Sequence, residues 1–206
     1  MAILTSIAQP SPPARASHRR RNLRVFLGAL LVTAAGWIAR PPVSIAQQPV
    51  SSEYQVKAAF LVNFPKYAEW PPEAFAETNS PIVITVLAET NVAEEVQKAI
   101  RGRAVNGREI VLQRLASGAE PGVCHILFIS AAEQRHSPAL LAKLKNASIL
   151  TVGESEDFLR SGGIINLARQ DQKIALQVNL KAAGRARIKI SSKLLTVAKL
   201  VEGKEE

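Results

Sequence analysis

The chain has one cysteine, one methionine and three histidines in 206 residues, and aromatic residues make up only 5% of it. Each shortage removes a class of explanation. A single thiol, Cys124, excludes an intrachain disulfide, so the fold is held by packing. Two histidines, His125 and His136, follow the first 46 residues. Neither has the spacing to another His or Cys that a zinc site uses, and no metal or cofactor is expected. Sparse aromatics leave basic residues such as Arg185, Arg187 and Lys189 without the stacking partners of a nucleic-acid surface, so they read as a solvated face.

Acidic residues are missing where the chain begins. Residues 1–46 hold six arginines and no acid. A basic stretch, His18 to Arg24, precedes an apolar run from Val25 to Ala39 and a small-residue end, Ser44-Ile45-Ala46. This is the layout of a secretory signal, with cleavage expected between Ala46 and Gln47. The run falls short of the ~20 apolar residues a membrane span needs, so the mature chain is not expected to cross a membrane. Of 26 basic residues, 20 remain after Ala46 against 17 acids, which gives +3 in place of +9. The high pI therefore belongs mostly to the signal, and bulk charge gives no reason to expect nucleic acid. Residues 47–206 suit one domain with a real core.

Within that domain helical and strand patterns alternate. Val56, Phe60, Phe64 and Tyr67 recur at helical spacing from Ser51 to Trp70, with Pro65 bending or ending the regular part. Ile82 to Ala88, Val123 to Ile129 and Ile149 to Val152 are apolar runs that read as buried strands. Asn91 is placed to cap a helix bearing Val92, Val96, Ala99 and Ile100. Asn106-Gly107 accepts positive φ at both positions and predicts a hairpin. A second hairpin is expected from Ile164 to Ala168 and Ile174 to Leu180 around Gln170-Asp171-Gln172. Helices are expected at Leu140 to Leu144, at Glu154 to Leu159 with Gly162-Gly163 as terminator, and from Ser191-Ser192 through Val201. The class is α/β, a single three-layer domain with a mixed, largely parallel sheet and two hairpins.

No catalytic set is visible. Cys124-His125 places a nucleophile type beside a base type, but neighbours on a strand point to opposite faces, and the thiol reads as a buried structural residue. A response-regulator phosphoacceptor needs an aspartate at a strand end, whereas these strands end in Glu89, Ser130 and Gly153. An enzyme built on Glu69 or Glu154 is the remaining catalytic reading, with both carboxylates expected in solvent. The chain is read as a non-enzyme.

The order of several blocks carries more information than any one residue. Tyr54-Gln55-Val56-Lys57-Ala58-Ala59-Phe60-Leu61-Val62-Asn63-Phe64 with Lys66-Tyr67 and Glu69-Trp70-Pro71 resembles the opening of the YfiR family of periplasmic proteins. Val105-Asn106-Gly107-Arg108, Cys124-His125-Ile126-Leu127-Phe128-Ile129-Ser130, Ile149-Leu150-Thr151-Val152, Gly162-Gly163, Val178-Asn179-Leu180 and Ile190-Ser191-Ser192-Lys193-Leu194-Leu195 follow in order. The resemblance implies a periplasmic repressor. It would bind the periplasmic domain of an inner-membrane diguanylate cyclase and lower cyclic di-GMP, with a homodimer left open. Tyr54, Asn63, Glu69 and Trp70 are the residues expected in partner contact or packing. Cys124 resembles one cysteine of the founding member's disulfides, but the bonding partners are missing, so redox sensing would need an intermolecular bridge. A periplasmic small-molecule module, binding at the carboxyl ends of the strands and without a cyclase partner, is the alternative.

Overall fold

The computed structural model describes residues 50–171 and 173–201, so the expected signal and its cleavage point at Ala46 and Gln47 lie outside the described residues. The first helix, α1 (Val50–Asn63), stops where Pro65 removes a backbone donor, and a 3-10 turn over Phe64–Lys66 follows. A two-residue strand, β1 (Ala68–Glu69), then leads by a short turn to β2 (Ile82–Leu87), which is buried at every position. Next come α2 (Thr90–Ile100), β3 (Ala104–Val105) and β4 (Arg108–Arg114). Asn106 and Gly107 take φ of 52° and 78°, which makes the β3–β4 hairpin the tight turn that their sequence predicts. Asn91 does not cap α2; Glu89 precedes the helix without a side-chain cap.

The second half adds β5 (Ile126–Ile129), α3 (Ser137–Lys143), β6 (Leu150–Gly153), β7 (Ile165–Gln170) and β8 (Lys173–Val178). It ends with α4 (Leu180–Arg185), β9 (Lys189–Ile190), α5 (Ser192–Leu195) and β10 (Lys199–Leu200). Eight strands form one sheet in the order β10-β8-β7-β6-β5-β2-β4-β3, while β1 and β9 pair separately. The central strands run parallel; β7–β8 and β3–β4 are the antiparallel hairpins. Helices lie on both faces, giving the mixed three-layer α/β domain that the alternation of patterns predicts. Among the described residues no helix is long and apolar enough to cross a membrane.

Strand alternation divides the core in two. Val86, Ile126, Phe128 and Val152 face the side covered by α1, α2 and α4. Leu87, Leu127 and Ile129 face the side covered by α3 and Phe158.

Two expected helices and the end of one expected strand turn out differently. The segment after Glu154 is a series of turns, because Phe158 is clamped against the sheet between Gly153 and Gly163. A Cβ on Gly153 would lie 2.3 Å, and one on Gly163 2.2 Å, from that ring. Gly163 thus serves close approach, while Gly162, at φ +94°, makes the turn. The C-terminal helix is a single turn, after which β10 adds in parallel to the free edge of β8. Leu180, expected at the end of a strand, instead opens α4, with the Asn179 side chain accepting from the Ala182 N–H at 3.0 Å.

Candidate functional site

The chain starts its sheet at β2, adds β4 on one side, and then places β5, β6 and β7 on the other. The carboxyl ends of β2 and β5 therefore flank the switch point where open α/β sheets hold ligands. Here that place is filled from within. Glu154 follows β6 and accepts from the Ala131 N–H, just past β5, at 2.6 Å. Its second oxygen takes a charge-assisted bond from Lys57 of α1. Lys57 also pairs with Glu53 at 2.5 Å, Arg169 of β7 reaches Glu53 at 3.0 Å, and the Tyr54 hydroxyl donates to Glu154 at 3.3 Å. The Lys57 and Glu154 side chains are only 5% and 2% exposed. Burial first, and then the Glu154 carboxylate, push the Tyr54 phenol well above its usual range, so it stays protonated.

This overturns two expectations. Glu154 is not a solvated carboxylate, and the buried face of α1 is not the one its apolar spacing suggests. Lys57, Ala58, Leu61 and Val62 point inward, while Val56 is 47% exposed and Phe60 is half-buried. Sequence reasoning missed the pair because its members lie 97 residues apart and a lysine in an apolar helix reads as solvated.

The residues that α1 leaves outside form a surface of their own. Val56, Phe60, Asn63 and Tyr67 line one wall of an open groove, and Leu194 and Val197 at the C-terminal turn line the other. Lys193 stands at its margin, and the groove encloses about 870 Å³. Val197 is 71% exposed. Contiguous exposed apolar surface of this kind marks an interaction site rather than a core.

Of the residues singled out from the sequence, Asn63 lies in this groove, its amide donating back to the Ala59 carbonyl at 2.8 Å. Tyr54 belongs instead to the ionic network. Trp70 packs at the edge of the core, and its indole N–H donates to the His125 carbonyl at 3.2 Å. Glu69 is exposed in β1, opposite Lys189. Cys124 lies apart from all of them, on the other side of the sheet.

The buried strand expected from Val123 begins only at Ile126, with Val123 70% exposed, yet Cys124 and His125 do face opposite ways, the thiol into the α3 side and the imidazole toward Trp70 and Phe75. The thiol sits among Leu127, Leu140 and Phe158 and donates to the Ile126 carbonyl at 3.3 Å. Burial pushes it up to about 11, so it is protonated near neutral pH and a poor nucleophile. His125 accepts from the Val83 N–H through Nδ1 at 3.1 Å, which leaves Nε2 to donate to the Ala74 carbonyl at 3.1 Å. Phe75 stacks on the ring at 4.4 Å, and the Arg108 guanidinium caps Phe75 at 3.8 Å. Both residues are consumed by structure. Among the described residues no group of three or more His, Cys, Asp or Glu is placed to hold a metal ion.

The geometry offers binding surfaces, and Cys124 and His125 are not placed as nucleophile and base; Ser117 Oγ does lie 3.2 Å from His136 Nδ1, but at an exposed surface position where it donates to Glu133 at 2.9 Å. Among known families, the model described as YfiR/HmsC-like matches residues 54–199. No curated protein matches the chain.

Proposed function

Because the chain belongs to the YfiR/HmsC-like family, we propose that it is a periplasmic regulator that binds the periplasmic domain of an inner-membrane diguanylate cyclase and represses it, lowering cyclic di-GMP and biofilm. The family is regulatory, and the chemistry in this reading belongs to the partner across the membrane. Residues 1–46 act as the export signal, and residues 47–206 are the working domain.

The observation that carries the reading is the apolar groove between α1 and α5. Burying exposed valines and half-exposed aromatics against a partner removes apolar surface from water at roughly 25 cal/mol per Å², the main source of affinity in such contacts. Repression requires only that binding favour the inactive cyclase, and a periplasmic signal then acts by changing that affinity.

The test pairs the purified protein with the periplasmic domain of a membrane diguanylate cyclase from the same organism. A saturable complex is expected, and Val56→Asp together with Val197→Asp should weaken it at least about tenfold while leaving thermal stability unchanged, since a buried charge at an interface core opposes docking. In cells, a form lacking residues 1–46 should fail to repress, and cyclic di-GMP should rise as in a deletion. Repression by the unexported form, or a complex indifferent to both aspartates, would overturn the reading.

A further inference from the structure

On the sheet face opposite α1, helical cover stops before β7, β8 and β10, and the uncovered strands form the floor of a second groove of about 740 Å³. Its character is unlike the first. Strand register sets Asn166 of β7 opposite Gln177 of β8, and Gln177 opposite Lys199 of β10, so three polar side chains stand in a row across three strands. Ala168 follows Asn166 on the same strand face, paired with Ala175, and the small side chains leave depth beside the row. The turn after Glu154 forms the bank, contributing Arg160.

The chemistry of this lining is specific. Asn166 is 1% exposed, and its Nδ2 donates to Gln177 Oε1 at 3.0 Å, which orients the amide. Its Oδ1 has no hydrogen-bond partner among the described residues, an acceptor buried at the floor of an open groove. Leaving such a group unmatched costs about 1–3 kcal/mol, so a bound donor is favoured there. Arg160 meets Asp157 only loosely, at 3.5 Å, and Lys199 makes no ion pair among the described residues. Glu154 lines the groove too, but its carboxylate is committed to Lys57, Tyr54 and the Ala131 amide.

We propose that this groove binds a small polyhydroxylated carboxylate, an acidic sugar in chemical class. Arg160 and Lys199 take the carboxylate, and the Asn166 and Gln177 amides take the hydroxyls, each amide being able to accept and donate. The volume suits a ligand of one or two sugar rings. Among the described residues no aromatic side chain lines the groove, which argues against a flat or greasy ligand. Because Glu154 lines this groove and also anchors α1 through Lys57, a ligand here lies against the residues that hold the helix of the apolar groove.

The probe is D-glucuronate, titrated calorimetrically into the full-length purified protein, with D-glucose and acetate as controls lacking the charge or the hydroxyls. Saturable glucuronate binding is expected, with each control weaker by about tenfold or more, the loss of one charge-assisted contact set. Arg160→Gln and Lys199→Gln should each weaken glucuronate several-fold and leave the ligand-free melting temperature unchanged, because both side chains are exposed. Asn166→Leu should abolish binding. Should that variant misfold, the two surface variants still decide. Absence of saturable glucuronate binding, equal binding of glucose, or indifference to Arg160→Gln and Lys199→Gln would overturn the proposal. None of these results depends on whether the protein binds a cyclase.

Discussion

The two faces of one sheet are built on different terms. Beneath α1 and α2 the core carries polar groups: Lys57 and Glu154 are paired at the switch point, and His125 is wedged among Trp70, Phe75 and the Val83 amide. Beneath α3 it is almost wholly apolar, Cys124, Leu127, Ile129, Leu140, Leu141 and Phe158, with Gly153 and Gly163 cut back to admit the phenylalanine ring. The polar face fixes positions, because a buried ion pair tolerates one arrangement and an apolar cluster tolerates several. That is what an interaction helix requires. α1 shows apolar residues outside as well as inside, and a helix apolar on two sides needs a second constraint to decide which side is the core. Lys57, tied to Glu154, supplies it.

The largest effect should come from breaking that tie. Glu154→Gln keeps the shape and removes the charge, leaving Lys57 inside with Glu53 as its remaining partner. A stability loss of about 3 kcal/mol is expected in chemical denaturation, the range for removing one member of a buried pair. Replacing both members, Lys57→Met with Glu154→Leu, should recover most of it, since well-packed apolar pairs often match buried ion pairs in stability. If the single change costs less than about 1 kcal/mol, the pair is solvated and the contrast between the two faces collapses.

What the sequence makes legible follows the same division. Apolar runs mark β2, β5 and β6 because strands buried on both faces have no alternation to hide, and Asn106-Gly107 marks its hairpin because few other residues accept that backbone. The buried pair is not legible. Nothing local distinguishes Lys57 from a surface lysine, since its partner is brought near only by the whole sheet. Asn63 and Trp70 were visible as candidates, but Trp70 serves the core and Tyr54 the ionic network, so composition alone did not separate groove from support. β10 escapes because two residues have no period; they become a strand by adding to an open edge. The polar groove needs the β8–β10 register before its row of side chains exists.

A second, smaller effect concerns His125 and pH. Burial foremost, with the Arg108 charge adding to it, lowers its pKa from the ordinary 6.5, against a weaker opposing pull from the Ala74 carbonyl. The folded state therefore binds this proton less readily than the unfolded chain. Stability is fully present above about pH 6.5 and declines as the pH falls below it, until the folded imidazole itself titrates. Protonation would set an N–H at Nδ1 against the Val83 N–H, which it now accepts. Melting temperature measured from pH 7.5 down to 5 should fall, and His125→Gln should flatten the part of the slope this residue contributes. An unchanged slope in that variant would assign the acid sensitivity elsewhere and leave the ionic network as the one polar device on this face.

The smallest effect is expected on the apolar face, at Cys124, where the family resemblance would have placed redox control. The thiol is buried and shifted up to about 11, and it already donates to the Ile126 carbonyl, with Thr85 alongside. A serine hydroxyl has the same carbonyl to bond, so Cys124→Ser avoids the larger cost of an unpaired hydroxyl and should lose only about 1 kcal/mol. The native thiol should resist a thiol reagent such as dithionitrobenzoate and react fully once the protein is unfolded, since both access and thiolate character are missing in the folded state. Non-reducing electrophoresis after oxidant treatment should then show monomer alone. A dimer band that disappears in Cys124→Ser would place this sulfur at a surface under oxidising conditions, and the apolar face would have to open to expose it.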